Sequence, residues 1–140
     1  FDSVTAVIFV AAISEYDQTL FEDHSVNRLE EAIQLFDEQI NSKWFVNTSM
    51  LLFLNKSDLF REKIARVPIR DYFPSYSGEE NDFEQIKLWI LKQFTSKNKN
   101  KNKVIYQHVT CATDTDNVRL VFTAVKDILI RDTLSEAGLN

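Results

Sequence analysis

The chain has 140 residues, 44% of them hydrophobic and 26% charged, which fits one globular domain and excludes an intrinsically disordered chain. Its formal net charge of -5 gives no general reason to expect nucleic-acid binding. Cys111 is the single cysteine, so no internal disulfide framework can form and a reducing compartment is expected. The most apolar stretch, residues 4–13, is too short to span a bilayer and has no basic flank, so neither a transmembrane helix nor a signal peptide is predicted.

The first predicted element is a strand over residues 4–13. Its sequence, VTAVIFVAAI, is an almost unbroken apolar run rich in β-branched residues, which is typical of a parallel strand covered on both faces. Such a strand belongs in the middle of a sheet, although it comes first in this chain. Because the chain also begins at Phe1 without an initiator methionine, we expect a segment of a longer protein whose other part supplies a neighbouring strand.

A helix and a second strand are predicted next. Apolar residues recur at spacings of three and four over residues 26–40, which predicts an amphipathic helix with Ser25 as its N-cap. Residues 50–54, MLLFL, predict a second buried strand. Residues 58–72 are ambiguous between a short helix and irregular structure.

The rest of the chain continues the alternation. A helix is predicted over residues 83–94, capped by Asn81 or Asp82, and a shorter, more polar strand over residues 104–109 near a sheet edge. A last helical stripe comprises Val118, Val121, Phe122, Val125, Ile128 and Leu129. Three strand and helix pairs predict an α/β fold, a parallel sheet with covering helices joined by right-handed crossovers.

Some residues are assigned structural roles. The stretch KNKNKNK, residues 97–103, is interpreted as a solvated loop, and the alternative is a positively charged contact for an acidic partner. Trp44 and Trp89 are interpreted as core or groove residues. His24 and His108 have no second ligand at a suitable spacing, so no metal site is predicted in this chain.

Polar side chains follow two of the predicted strands. Asn55, Lys56 and Asp58 come directly after the second strand, and residues 110–115, TCATDT, come after the third. Ordinary turns would explain either loop alone. Ligands of parallel sheets bind at the carboxyl ends of the strands, so the two loops should face each other across a binding site.

Such a pair of loops can read a guanine base. The Asp58 carboxylate can accept hydrogen bonds from guanine N1–H and the N2 amino group together, whereas adenine offers no matching donors. Lys56 can lay its apolar stem over the ring, and Asn55 can hold the two loops together. The backbone N–H of Ala112 can donate to guanine O6.

Asn-Lys-x-Asp alone is weak, since it arises by accident in about one chain in fifty of this length. The placement of this motif opposite a Thr-Cys-Ala element strengthens the prediction of a guanine site.

A family resemblance extends from end to end of the chain. It is carried, in order, by SEYDQ (14–18), NRLEEAIQLFD (27–37), LFLNKSDLFREKI (52–64), YFPSYSG (72–78), TCATDTDNV (110–118) and the terminal GL (138–139). On these stretches the sequence resembles the C-terminal part of the Ras-like domain of heterotrimeric G-protein α subunits. Small GTPases share only the guanine motif.

The resemblance implies a P-loop NTPase (Ras-like) half-domain, with residues 1–140 containing its last three strands and helices. Thr110 would help to fix its loop. Residues 15–27 would correspond to a loop that orders when the γ-phosphate is present. The residues implied to bind the guanine are Asn55, Lys56, Asp58, Cys111, Ala112 and Thr113.

The resemblance also implies a guanine nucleotide-binding signal transducer, a GTPase that switches between GTP and GDP and couples cell-surface receptors to effectors. In that family, phosphoryl transfer needs a phosphate loop, Mg²⁺ ligands and catalytic side chains. These elements, the helical insertion and the first two switch regions would lie upstream, so no catalytic residue or metal ligand is assigned here. The implied partners are a βγ dimer, an effector enzyme and a G protein-coupled receptor, which would contact residues 118–140, with no nucleic acid.

The implied location is the cytoplasmic face of the plasma membrane, with a lipidated N-terminus upstream.

One departure from the family pattern is Ala137, which stands where the best-known family tail has a cysteine, so toxin-catalysed ADP-ribosylation is not expected there. Two alternatives remain: an α/β interaction module without nucleotide chemistry, and a small monomeric GTPase.

Overall fold

The computed structural model describes residues 6–111, 116, 119–127 and 130. The strands of its sheet are β1 (Ala6–Ala12), β2 (Ser49–Asn55) and β3 (Ile105–Val109). The helices with defined bounds are α1 (Arg28–Ile40), α2 (Ser57–Ile64) and α3 (Phe83–Thr95), and residues 119–127 are also helical. No helix in these ranges combines the length and apolarity needed to cross a membrane.

The sheet is parallel and has the order β1-β2-β3, which confirms the predicted α/β architecture. β2 lies in the middle, and its residues from Met50 to Asn55 are buried because both neighbours and both faces are covered. Among the strands that the structure describes, β3 lies at an edge, as its polar sequence predicted. Within the described part of the chain β1 has one neighbour, and Ile8 and Val10 are 40% and 57% exposed. The further strand beside β1 stays a prediction.

The main core lies between one face of the sheet and the helices α1 and α3. Phe9 of β1, Phe36 of α1 and Phe94 of α3 meet there, with ring centroids 5.3 Å apart for Phe9 and Phe36 and 5.5 Å apart for Phe36 and Phe94. Both of these pairs pack edge to face, the arrangement that aromatic quadrupoles favour. This cluster joins three elements that are distant in sequence and so holds the sheet against its helices.

The helical residues 119–127 cover the other face of the sheet. Val121 and Val125 pack against Leu51 and Phe53 of β2. Phe122 was predicted to share this stripe, but its side chain is 73% exposed, because one residue of helix rotates a side chain by about 100°. The other members of the predicted stripe, Val118, Ile128 and Leu129, lie outside the described residues.

The N-caps of α1 and α3 are asparagine and aspartate. The Asn27 Oδ1 atom accepts hydrogen bonds from the N–H groups of Leu29 and Glu30, so the prediction of Ser25 as the cap is wrong. The Ser25 hydroxyl donates to the Asp23 carboxylate instead. Of the two residues proposed for α3, Asp82 is the cap, and it accepts from the N–H of Gln85.

The KNKNKNK stretch is not solvated throughout, so its interpretation is wrong at Lys103. This side chain is buried, and its ammonium donates to the carbonyl of Ile40 at 3.3 Å and to the carbonyl of Phe45. Burial lowers the pKa of Lys103. Because Ile40 ends α1, Lys103 satisfies a carbonyl at the end of that helix. Lys99 and Lys101 remain exposed.

The two tryptophans differ in their surroundings. Trp89 is partly buried and packs edge to face against Phe73 and Tyr76, which confirms its predicted role. Trp44 is 70% exposed, with the Lys43 ammonium 5.2 Å from its ring centroid, so its assignment to the core or a groove is wrong. It lies in a 3₁₀ turn between α1 and β2, where local spacing carries no information on burial.

Candidate functional site

The connection from β2 to α2 is a turn made by one residue. Asn55 ends the strand, Lys56 has φ 65° and ψ 36°, and α2 begins at Ser57. The left-handed conformation costs a residue with a side chain about 1–2 kcal/mol. Such backbone strain is found preferentially where function requires it. The turn therefore marks the carboxyl edge of β2 as a candidate site.

The loops after β2 and β3 meet at this edge, as the sequence predicted. The Thr110 hydroxyl donates to Asn55 Oδ1 at 2.9 Å, and both residues are buried. The Thr110 N–H donates to the Leu54 carbonyl at 2.8 Å, and the Ser57 N–H donates to the Thr110 carbonyl at 3.0 Å. These hydrogen bonds hold the start of α2 against the end of β3.

The remaining predicted site residues are exposed, partly buried or outside the described residues. Asp58 lies in the first turn of α2 and is exposed, and Cys111 is also exposed. Lys56 is partly buried. Ala112 and Thr113 lie outside the described residues. The structure therefore brings together Asn55, Lys56, Asp58 and Thr110, with the Asp58 carboxylate open to a ligand.

The donors and acceptors at this edge suit a base better than a metal ion. They comprise one amide, one ammonium and one carboxylate, whereas Mg²⁺ requires six oxygen ligands in near-octahedral geometry. Among the residues that the structure describes, no three His, Cys, Asp or Glu side chains are close enough to hold a metal ion. The pairing of a carboxylate with a long apolar stem fits a flat ring that carries hydrogen-bond donors.

Thr110→Val tests the link between the two loops. Valine keeps the shape of threonine but removes the hydroxyl, which leaves Asn55 Oδ1 buried without this donor. We expect the free energy of unfolding to fall by about 1–3 kcal/mol, as measured by urea denaturation. Thr110→Ser keeps the hydroxyl and is the control. A serine variant as unstable as the valine variant would show that the lost methyl packing, and not the hydrogen bond, is responsible.

Another group of contacts, made by the loop after β1, was not predicted from the sequence. Lys63 of α2 donates to the Ser14 carbonyl at 2.8 Å and to Asp17 Oδ1 at 2.7 Å. The Tyr16 hydroxyl donates to the Val67 carbonyl at 2.6 Å. The one available signal was Tyr16, an aromatic residue between the acidic residues Glu15 and Asp17. The Lys63 bonds connect the loop after β1 to the helix that carries Asp58, and the Tyr16 bond connects the same loop to the segment that follows this helix.

A parallel α/β sheet with facing polar loops at the carboxyl ends of neighbouring strands is the arrangement of nucleotide-binding α/β domains. The model of one protein family, described as "G-protein alpha subunit", matches residues 1–129. The chain belongs to this family. Its α/β layout is that of a P-loop NTPase half-domain.

Several characterised relatives match almost the whole chain. The "Guanine nucleotide-binding protein G(o) subunit alpha" of Caenorhabditis elegans is 52% identical over 139 residues, which cover 99% of this chain and 39% of that protein. The "Guanine nucleotide-binding protein alpha-2 subunit" of Dictyostelium discoideum is 52% identical, with 99% and 38% covered. The "Guanine nucleotide-binding protein subunit alpha" of Pyricularia oryzae is 50% identical, with 99% and 39% covered. The chain thus spans about two fifths of the length of these relatives.

Proposed function

We propose that residues 1–140 are the C-terminal portion of a Ras-like GTPase domain in a guanine nucleotide-binding signal transducer. The observation that carries this proposal is the buried hydrogen bond from Thr110 to Asn55, which joins the Asn-Lys-x-Asp turn to the loop after β3. This bond places two polar loops at one edge of the sheet. Membership of the G-protein alpha subunit family supports the choice of a guanine nucleotide as the ligand.

The proposed base site assigns a role to each residue. Asp58 accepts from the two guanine donors, and the stem of Lys56 lies over the ring. Asn55 positions the turn through its bond with Thr110. In the same proposal, the backbone N–H of Ala112 donates to guanine O6, and Cys111 and Thr113 flank the base. Specificity for guanine then comes mainly from one carboxylate.

The proposal for the complete protein extends beyond this chain. It binds GTP or GDP, hydrolyses GTP, and uses Mg²⁺ and catalytic side chains supplied by the part of the protein outside residues 1–140. It couples a receptor, which contacts residues 118–140, to an effector enzyme and a βγ dimer at the cytoplasmic face of the plasma membrane. The names of the relatives, guanine nucleotide-binding protein alpha subunits, support the nucleotide and the class of signalling protein.

Competition between nucleotides tests the proposal. The complete protein is loaded with a fluorescent guanine nucleotide, which is then displaced by GDP or by ADP. We expect GDP to displace it at a concentration at least about a hundredfold lower, because ADP leaves the Asp58 acceptors without matching donors. Equal displacement by ADP would overturn guanine recognition. Failure to bind either nucleotide would favour an interaction module without nucleotide chemistry.

A further inference from the structure

The last turn of α2 is attached to the loop after β1 by a group of polar contacts. We name Tyr16, Asp17 and Lys63, with the carbonyls that they bind, the α2 anchor. Lys63 lies in the last turn of α2, and its ammonium donates both to the Ser14 carbonyl and to the Asp17 carboxylate. The side chains of Lys63 and Asp17 are each only 18% exposed, so this pair is partly screened from water.

Tyr16 forms the second part of the α2 anchor. Its side chain is fully buried, and its ring packs edge to face against Phe60 of α2 with the centroids 5.6 Å apart. Burial, and after it the charge of Asp17, raises the pKa of the Tyr16 hydroxyl, so this group remains a donor to the Val67 carbonyl. The Tyr16 carbonyl accepts from the Asn27 amide, which also caps α1. The anchor therefore connects α1, the loop after β1 and α2.

Because α2 is short, the contacts of its last turn influence the position of its first turn. The helix has 8 residues, so it is about 12 Å long, with Asp58 in its first turn and Lys63 in its last. Apolar contacts from Phe60 and Ile64 attach the helix to the core but do not by themselves determine its orientation. Hydrogen bonds are directional, so those of the anchor restrict the tilt and rotation of the helix.

We propose that Lys63, Asp17 and Tyr16 are positioning residues for the guanine base: they hold α2 in the orientation in which the Asp58 carboxylate meets both donors of the base. This inference deepens the proposed function and rests on it.

The positioning role also makes the base site sensitive to the loop after β1. That loop is closed by hydrogen bonds from Leu20 N–H to the Val26 carbonyl and from Arg28 N–H to the Gln18 carbonyl, so it forms one connected unit with Asp17 at its base. Any partner that displaces this loop changes base affinity, and bound base resists the displacement to the same extent.

The ratio of GDP affinity to IDP affinity measures the alignment of Asp58. The base of IDP lacks the 2-amino group and offers Asp58 one donor where GDP offers two. In the complete protein, Lys63→Met and Asp17→Asn are expected to lower this ratio by about threefold to tenfold, because the second hydrogen bond is weakened. The double variant is expected to lower it no further than Lys63→Met alone, since that substitution already removes the interaction with Asp17.

Lys87→Met is the matched control. The Lys87 ammonium also lies within 2.6 Å of a carboxylate, that of Glu84, but this pair lies on α3 and Glu84 is 66% exposed. The control should leave the GDP to IDP ratio unchanged. If Lys63→Met does not fold, Asp17→Asn and Tyr16→Phe carry the same measurement, since each removes only a charge or a hydroxyl.

The outcomes separate this inference from the proposal on which it rests. An equal loss of GDP and IDP affinity, or an unchanged ratio in the Lys63, Asp17 and Tyr16 variants, would overturn the positioning role. Wild-type protein that binds GDP and IDP equally well would instead overturn the role of Asp58 and the proposed base site. A normal wild-type ratio that falls only in the anchor variants would support both.

Discussion

Asp58→Asn in the complete protein is expected to convert a preference for guanine nucleotides into a preference for xanthine nucleotides. An asparagine amide cannot accept two hydrogen bonds side by side, and its NH₂ group would oppose the 2-amino group of guanine. Xanthine carries a carbonyl at that position, so the same NH₂ group can donate to it. We expect GDP affinity to fall by about a hundredfold while xanthosine diphosphate becomes the tighter ligand, as measured by competition against a fluorescent nucleotide.

Glu62→Gln is the control for the change of charge. Glu62 is exposed on the same helix, α2, but lies beyond its first turn, so its substitution removes one negative charge without altering the proposed base site. Its base preference should remain that of the wild type. If Asp58→Asn also keeps the wild-type preference for guanine, the base is recognised by other residues and the assignment of Asp58 is wrong.

Phe36→Ala is expected to cause the largest loss of stability among these substitutions. The Phe36 side chain is fully buried, and its ring packs edge to face against both Phe9 and Phe94. Its removal leaves a cavity where β1, α1 and α3 meet, so the free energy of unfolding should fall by about 3–5 kcal/mol. Urea denaturation of the complete protein, followed by tryptophan fluorescence and circular dichroism, measures this change.

Phe21→Ala removes the same number of atoms from a position that is 87% exposed, and so it controls for side-chain chemistry. Its effect on the free energy of unfolding should stay within about 0.5 kcal/mol. Similar losses for the two variants would mean that the cluster of Phe9, Phe36 and Phe94 does not hold the sheet against its helices.

The two ends of α2 connect the proposed base site to the rest of the fold. The turn at Lys56 starts α2, the bond from Thr110 to Asn55 fixes that start, and the α2 anchor fixes the other end. In the proposed role of the α2 anchor, this short helix is held at both ends, so a displacement of either attachment would change the position of Asp58.

The sequence by itself determined the three strands, α1 and α3, and their order, because strands and helices leave local periodic signals, but it left α2 ambiguous. Continuous apolar runs predicted β1 and β2, and spacings of three and four predicted α1 and α3. The facing loops were also predictable, since the carboxyl ends of parallel strands always lie at one edge of a sheet. The loops that contain Asn55 and Thr110 could thus be paired, although these two residues are 55 positions apart and their hydrogen bond was not predicted.

Only the tertiary structure decided which polar residues are buried and what they contact. Lys103 belongs to a repetitive, highly polar stretch, yet it binds carbonyls 63 and 58 residues away. The ion pair of Lys63 and Asp17 and the hydrogen bond from the Asn27 amide to the Tyr16 carbonyl likewise depend on groups that local patterns do not identify. Such contacts satisfy backbone and charged groups that packing has already brought together, so they follow from the fold and cannot be read from spacing along the chain.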